Sequence, residues 1–249
     1  HMRMIDSTTG QIIRDVNLLD ICRGQVLALE YNGESLLLLE FDRENESLSV
    51  LEYHMREGHV SVYLKDLENL DIREMIDESD LGDSGDVSCR LKCHKSKVCV
   101  AVLSKKEIWV YNGLGDKTVC KGEFFIQKAG LVTHQEEYKG HITDIMPVEN
   151  GYCITALFAS VDNRLVTGMF RMDESLTKVV HLKDSYGAGG DLYAVDEELY
   201  QWFSEELCLN CYTKGDLFCK TDYSKDKIVT GYYISKCFDS YYENENWQR

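Results

Sequence analysis

From Gln25 the chain alternates apolar and polar residues to Glu30, turns strongly apolar from Ser35 to Glu40, alternates again from Ser47 to Tyr53, and runs extended from His59 to Leu64. The breaks between these runs are hairpin chemistry. Asn32-Gly33 supplies the positive backbone angles of a tight turn, and the polar stretch Asp42 to Glu46 supplies a longer one. The block therefore predicts four antiparallel strands paired in sequence order.

The same pattern returns three more times. It predicts strands at Val87–Cys93, Val98–Leu103, Glu107–Tyr111 and Cys120–Ile126, with Asn112-Gly113 turning the third. It predicts others at His141–Val148, Tyr152–Ser160, Arg164–Met172 and Lys178–Leu182, around Asn150-Gly151 and Asp162-Asn163. A shorter set begins at Asp191 and covers Leu192–Val195, Leu199–Phe203, Leu207–Tyr212 and Asp216–Lys220. Two runs remain near the C-terminus, Ile228–Ile234 and Cys237–Tyr242, while Met4–Asp6 and Gln11–Val16 form an unmatched pair at the start. A block of four short strands repeating every 40 to 50 residues or so is the period of a β-propeller blade, which makes the chain all-β and compact. Four complete blades plus one assembled from both ends give five, closing the ring without a free edge at the seam. Five is preferred to six. Seven is disfavoured, because Lys65–Asp86 and Gln127–Gly140 already read as long loops.

Composition fits a single domain over residues 3–249. With 249 residues, 44% of them hydrophobic, the chain has enough apolar surface for its own core. No run nears the roughly 18 consecutive apolar residues of a membrane span. His1-Met2 reads as a pair left by an expression vector and is set aside, so no leader can be inferred from the start. Ten cysteines would suggest a disulfide scaffold in a chain too small for a core. Here Cys99, Cys153, Cys211, Cys219 and Cys237 fall inside apolar strand segments, where a thiol packs as a small hydrophobe. That favours a reducing, intracellular compartment, cytoplasmic or nuclear. Cys208 and Cys211 have CxxC spacing on a strand, which points them to opposite faces, and Cys89, Cys93 and His94 lack a matching distant pair. No metal site is expected from either.

The third block resembles a WD40 repeat. Gly140-His141 opens it, Ser160 ends its second strand and Asp162 lies in the following turn, while Gly168–Phe170 stands where the repeat carries its Trp. Gly58-His59, Ile108–Asn112 and Ile5–Gly10 echo other parts of the repeat. The resemblance covers Gly140–Met172 well and the rest loosely, and identifies the chain as a divergent WD40-like propeller. It implies that His141 and Asp162 belong to the framework rather than to a site.

A formal charge of −16 makes nucleic acid and anionic membranes poor ligands and basic surfaces good ones. It concentrates in an inter-blade insertion, residues 65–86, that carries Asp66, Glu68, Asp71, Glu74, Asp77, Glu78, Asp80, Asp83 and Asp86 against Arg73 alone after Lys65. Leu67–Ile76 reads as a short helix or as part of a flexible loop. The expected role is that of a non-enzymatic scaffold or escort that docks a basic protein or peptide, histone-like or ribosomal-protein-like, on Asp71, Glu74, Asp77, Glu78, Asp80 and Asp83. The bland alternative is a solvated loop serving solubility.

The enzymatic alternative is a five-bladed glycoside hydrolase, for which Asp86, Asp144, Asp191 and Glu30 are the carboxylates near the inner strands. Carboxylates are abundant throughout this chain, and no sugar-hydrolase motif surrounds these four. Neither a Gly-x-Ser-x-Gly elbow nor a phosphate-binding loop occurs. Gly187-Ala188-Gly189-Gly190 precedes a strand instead of opening a helix, so no nucleotide or other cofactor is expected. The aromatic tail, Tyr232, Tyr233, Phe238, Tyr241, Tyr242 and Trp247, reads as packing for all but Trp247.

Overall fold

The structure is a computed structural model and describes residues 2–6, 8–68, 87–104, 107–121, 141–159, 165–186, 191–195, 198–203, 208–213 and 216–222. These residues form eighteen strands. A two-stranded hairpin, β1 (Met2–Ile5) and β2 (Ile12–Val16), precedes four four-stranded antiparallel sheets. The first sheet holds β3 (Gln25–Tyr31), β4 (Leu36–Asp42), β5 (Ser47–His54) and β6 (His59–Glu68). The second holds β7 (Val87–His94), β8 (Lys97–Ser104), β9 (Glu107–Asn112) and β10 (Lys117–Lys121). The third holds β11 (His141–Val148), β12 (Gly151–Ala159), β13 (Leu165–Met172) and β14 (Val179–Tyr186). The fourth holds β15 (Leu192–Val195), β16 (Glu198–Phe203), β17 (Cys208–Thr213) and β18 (Asp216–Asp222). In each, neighbours in sequence are neighbours in space.

Side-chain alternation makes the sheets stack. In β4, Leu37, Leu39 and Phe41 face the second sheet, where they meet Leu91, Val100, Val102 and Trp109. Leu38, on the opposite face, packs with Leu51 and Tyr53 against Met2, Val16, Leu18 and Ile21 of the N-terminal segment. Ala101, Ile108 and Val110 join Ile145, Ile154 and Phe170 between the second and third sheets. Met146, Cys153 and Met169 meet Leu192 between the third and fourth. Both faces of a blade-like sheet are thus apolar, and complete burial of each such Leu or Phe contributes about 1.5–3 kcal/mol. First strands lie against first strands: β3 beside β7, β7 beside β11, β11 beside β15.

The turns work as their residues predict. The Asn32 side-chain oxygen accepts from the Glu34 and Ser35 N–H groups, and Asp42 accepts from those of Glu44 and Asn45. Gly151 opens β12 at φ +127°, where an added Cβ would stand 2.0 Å from the Met172 carbonyl oxygen. Only glycine fits there.

Several boundaries differ from expectation, β14 among them, which runs to Tyr186 instead of ending at Leu182. Met2, set aside as a vector residue, pairs with Val16 and packs on the first sheet. The strand expected from Cys120 begins at Lys117, because the Asn112 side chain accepts from the Leu114 and Asp116 N–H groups and closes a tight hairpin. Leu67 and Glu68, read as the start of a helix, belong to β6, with Leu67 buried in the core beside Leu64. Residues 228–242, expected to complete a blade with β1 and β2, lie outside the described residues.

Candidate functional site

Charge enters the interior where the first strands meet. In β7, Cys89, Leu91 and Cys93 face the first sheet, so strand alternation turns Arg90, Lys92 and His94 toward the third. In β11 a bulge falls between Ile142 and Asp144, leaving Thr143 as the extra residue. β3 bulges at the corresponding point, between Val26 and Ala28. The Thr143 carbonyl takes a 3.1 Å hydrogen bond from Arg90 and its hydroxyl donates to Thr155 Oγ1, while Asp144 is aimed into the centre.

Asp144 is completely buried and fully engaged. Its Oδ2 lies 2.9 Å from Lys92 Nζ and accepts from the Leu192 N–H at 2.7 Å. Its Oδ1 accepts from the Ile145 N–H at 2.9 Å and lies 3.5 Å from Arg90 Nε. Lys92 Nζ also donates to the Leu192 carbonyl at 2.9 Å and stands 5.2 Å from the Tyr193 ring centroid. One carboxylate and one ammonium therefore join three successive sheets. Burial works to lower the Lys92 pKa, but Asp144 first, and then Glu30 and Asp191, more than offset it and hold the ammonium above its ordinary value.

Glu30, near the end of β3, completes the cluster from the first sheet. Burial pushes its carboxyl up to about 7; Lys92 opposes the rise and Asp144 adds to it. Asp191 is exposed just before β15. Of the four carboxylates singled out for sugar chemistry, Glu30, Asp144 and Asp191 are thus gathered around Lys92, and Asp86 lies outside the described residues. A glycosidase needs a proton donor and an ionised partner both facing the sugar. Glu30 has the raised carboxyl of a donor, but Asp144 has no exposed face to offer a substrate.

The acidic residues expected to hold a partner, Asp71, Glu74, Asp77, Glu78, Asp80 and Asp83, all lie outside the described residues. So do Ser160 and Asp162 of the WD40-like pattern. The segment carrying the acidic residues joins Glu68, which ends the fourth strand of one sheet, to Val87, which begins the first strand of the next. Cys93, considered beside Cys89 and His94 as a metal ligand, buries its thiol in the core and donates to the Tyr31 carbonyl. His94 turns to the other face and contacts the Pro147 carbonyl, so the three do not converge. Cys99 and Cys153 sit in core clusters as expected, and burial drives the Cys153 thiol up to about 12. The sequence reading missed Lys92 and Arg90. Their signal was present as two cations alternating with Cys89, Leu91 and Cys93 along an inner strand. Among the described residues, one cluster has ligand atoms close enough for a metal, His54, Glu57 and His59 at the β5–β6 turn. No described helix is long and apolar enough to cross a membrane.

No protein-family model matches the chain, and no curated protein matches it in sequence. Among solved structures, the crystal structure of a nidogen/laminin complex aligns over 79% of this chain and 80% of its own, at 8% identity and a TM-score of 0.31.

Proposed function

We propose that this chain is a protein-interaction scaffold, a divergent WD40-like propeller of five blades that docks a basic protein or peptide on the acidic segment between its first two blades. The supporting observation is the state of the central cluster. Asp144 and Lys92 are consumed in joining sheets, so this pair adds nothing to the chain's excess negative charge. Between Asp66 and Asp86, nine acidic residues against one arginine leave −8, half of the chain's net −16. Such a field attracts Lys- and Arg-rich chains and raises their encounter rate. The five-blade reading draws support from β1 and β2, which pack on the face of the first sheet that the second leaves open, where a composite last blade belongs. The sugar-hydrolase alternative finds less support, since its best-placed second carboxylate is sealed by two cations and two backbone N–H groups.

The test is a titration of a fluorescent Lys/Arg-rich peptide, followed by anisotropy at several salt concentrations. Wild-type protein should bind it, with an affinity that falls steeply as salt rises. The triple variant Asp77→Asn, Glu78→Gln, Asp80→Asn should bind more weakly and with a shallower salt dependence. Equal binding by the variant, or no binding by the wild type, rejects the reading.

A further inference from the structure

The end of the β5–β6 hairpin places two imidazoles directly across from one another. His54 and His59 are register partners, so their Cβ atoms share one face of the hairpin at about 4.5–5.5 Å. Their rings stack, with centroids 4.2 Å apart and planes 24° from parallel. Glu57, from the turn between them, brings a carboxylate oxygen to 3.6 Å from His59 Nδ1. Glu52, two residues before His54 and therefore on the same face, stands 3.8 Å from His54 Nε2. One donor atom from each of His54, Glu57 and His59 lies within 4.8 Å of the other two.

We propose that this hairpin end is a binding site for a divalent transition ion, with His54, His59 and Glu57 as ligands and zinc as the ion that suits them. Two imidazoles and a carboxylate are a zinc donor set that leaves a fourth position for water or for Glu52. Tetrahedral ligands at zinc distances sit about 3.3 Å from one another, so the observed atoms need close by at most about 1.5 Å. The required freedom exists, because the side chains of His59 and Glu57 are 58% and 66% exposed.

The fixed half of the site is built around His54. Its Nδ1 lies 3.4 Å from the hydroxyl of buried Ser35 and its Nε2 lies 3.0 Å from Ser61 Oγ. An Nδ1–H donated to Ser35 leaves the Nε2 lone pair on the side of Glu52 and Ser61, where metal replaces the serine. Such outer partners set the tautomer of a ligating histidine. From the opposite face Arg14 of β2 donates to the Tyr53 hydroxyl at 3.1 Å and to the Met55 carbonyl at 2.6 Å. The Gly58 N–H closes the turn on the His54 carbonyl at 2.7 Å. The loop that carries Glu57 is thereby held in place before any ion arrives.

The experiment titrates the chelator-stripped 249-residue chain with zinc sulfate against a chromophoric chelator, while long-range ¹H–¹⁵N spectra report the histidine rings. The expected result is one ion bound, with ring signals of His54 and His59 moving together. His59→Ala and Glu57→Gln, both at exposed positions, should each weaken binding by at least about tenfold while leaving the thermal unfolding of metal-free protein unchanged. Zinc should raise the melting temperature of wild type but not of His59→Ala. Absence of binding, or binding that both variants retain in full, overturns the proposal. The result is independent of whether the acidic segment docks a basic partner.

Discussion

At the scale of single residues, the interior of this molecule turns on Lys92 and Asp144. Each is nine-tenths or more buried, and each satisfies the other together with the backbone of Leu192. Removing Lys92 leaves buried Asp144 facing only the more distant Arg90, a loss that costs more than the pair itself contributes. Lys92→Met is therefore expected to lower unfolding free energy by about 3–5 kcal/mol in urea titrations, and adding Asp144→Asn should recover part of that loss. Glu30 makes a different prediction. Its carboxyl titrates near 7 in the folded protein against an ordinary 4.5, so the folded state holds more protons between those values. Stability should fall as pH rises from 4.5 to 7 and level off above, by the linkage of proton binding to folding. Glu30→Gln should flatten that decline and be the more stable protein at pH 8, by an amount of order 2 kcal/mol, measured as unfolding midpoints across the pH range. The sequence marked Glu30 and Asp144 as inner-strand carboxylates but not their cations. A lysine among apolar residues looks like a strand's solvent face until the neighbouring sheet is known.

At the scale of elements, the turns were the legible part. Asn32, Asp42 and Asn112 each accept backbone N–H groups through their side chains, a purely local interaction that the residue type announces. Long-range geometry was not legible. Leu64 and Leu67, three residues apart, have helical spacing, yet both enter the core from β6. The reason is a bulge: Val50 pairs with Leu64 and Leu48 with Leu67, so β6 carries one extra residue between these pairs and both side chains point inward. The bulge at Thr143 likewise aims Asp144 at Lys92, and nothing in its local sequence foretells it. Among the turns, the one at Gly151 is the least forgiving. Gly151→Ala combines a positive φ with a 2.0 Å clash against the Met172 carbonyl, which belongs to backbone and cannot swing aside. It should cost about 2–3 kcal/mol or more by chemical denaturation, the loss arising in the pairing of β12 with β11 and β13.

At the scale of the whole molecule, four stacked sheets and an N-terminal hairpin form a succession of apolar interfaces, and a buried charge cluster links the inner strands of the four sheets. The carboxylate of Asp144 holds the last three sheets, and Glu30 brings the first under the same field. The largest imbalance of charge in the sequence lies in the segment between β6 and β7. The proposed function sets this neutralised centre apart from an acidic docking segment. Hydrogen exchange read by mass spectrometry, with and without a saturating Lys/Arg-rich peptide, tests it most directly. The expected result is slowed exchange in residues 69–86 and unchanged exchange in β7, β11 and β15. Protection centred on those inner strands, with residues 69–86 unaffected, would contradict it.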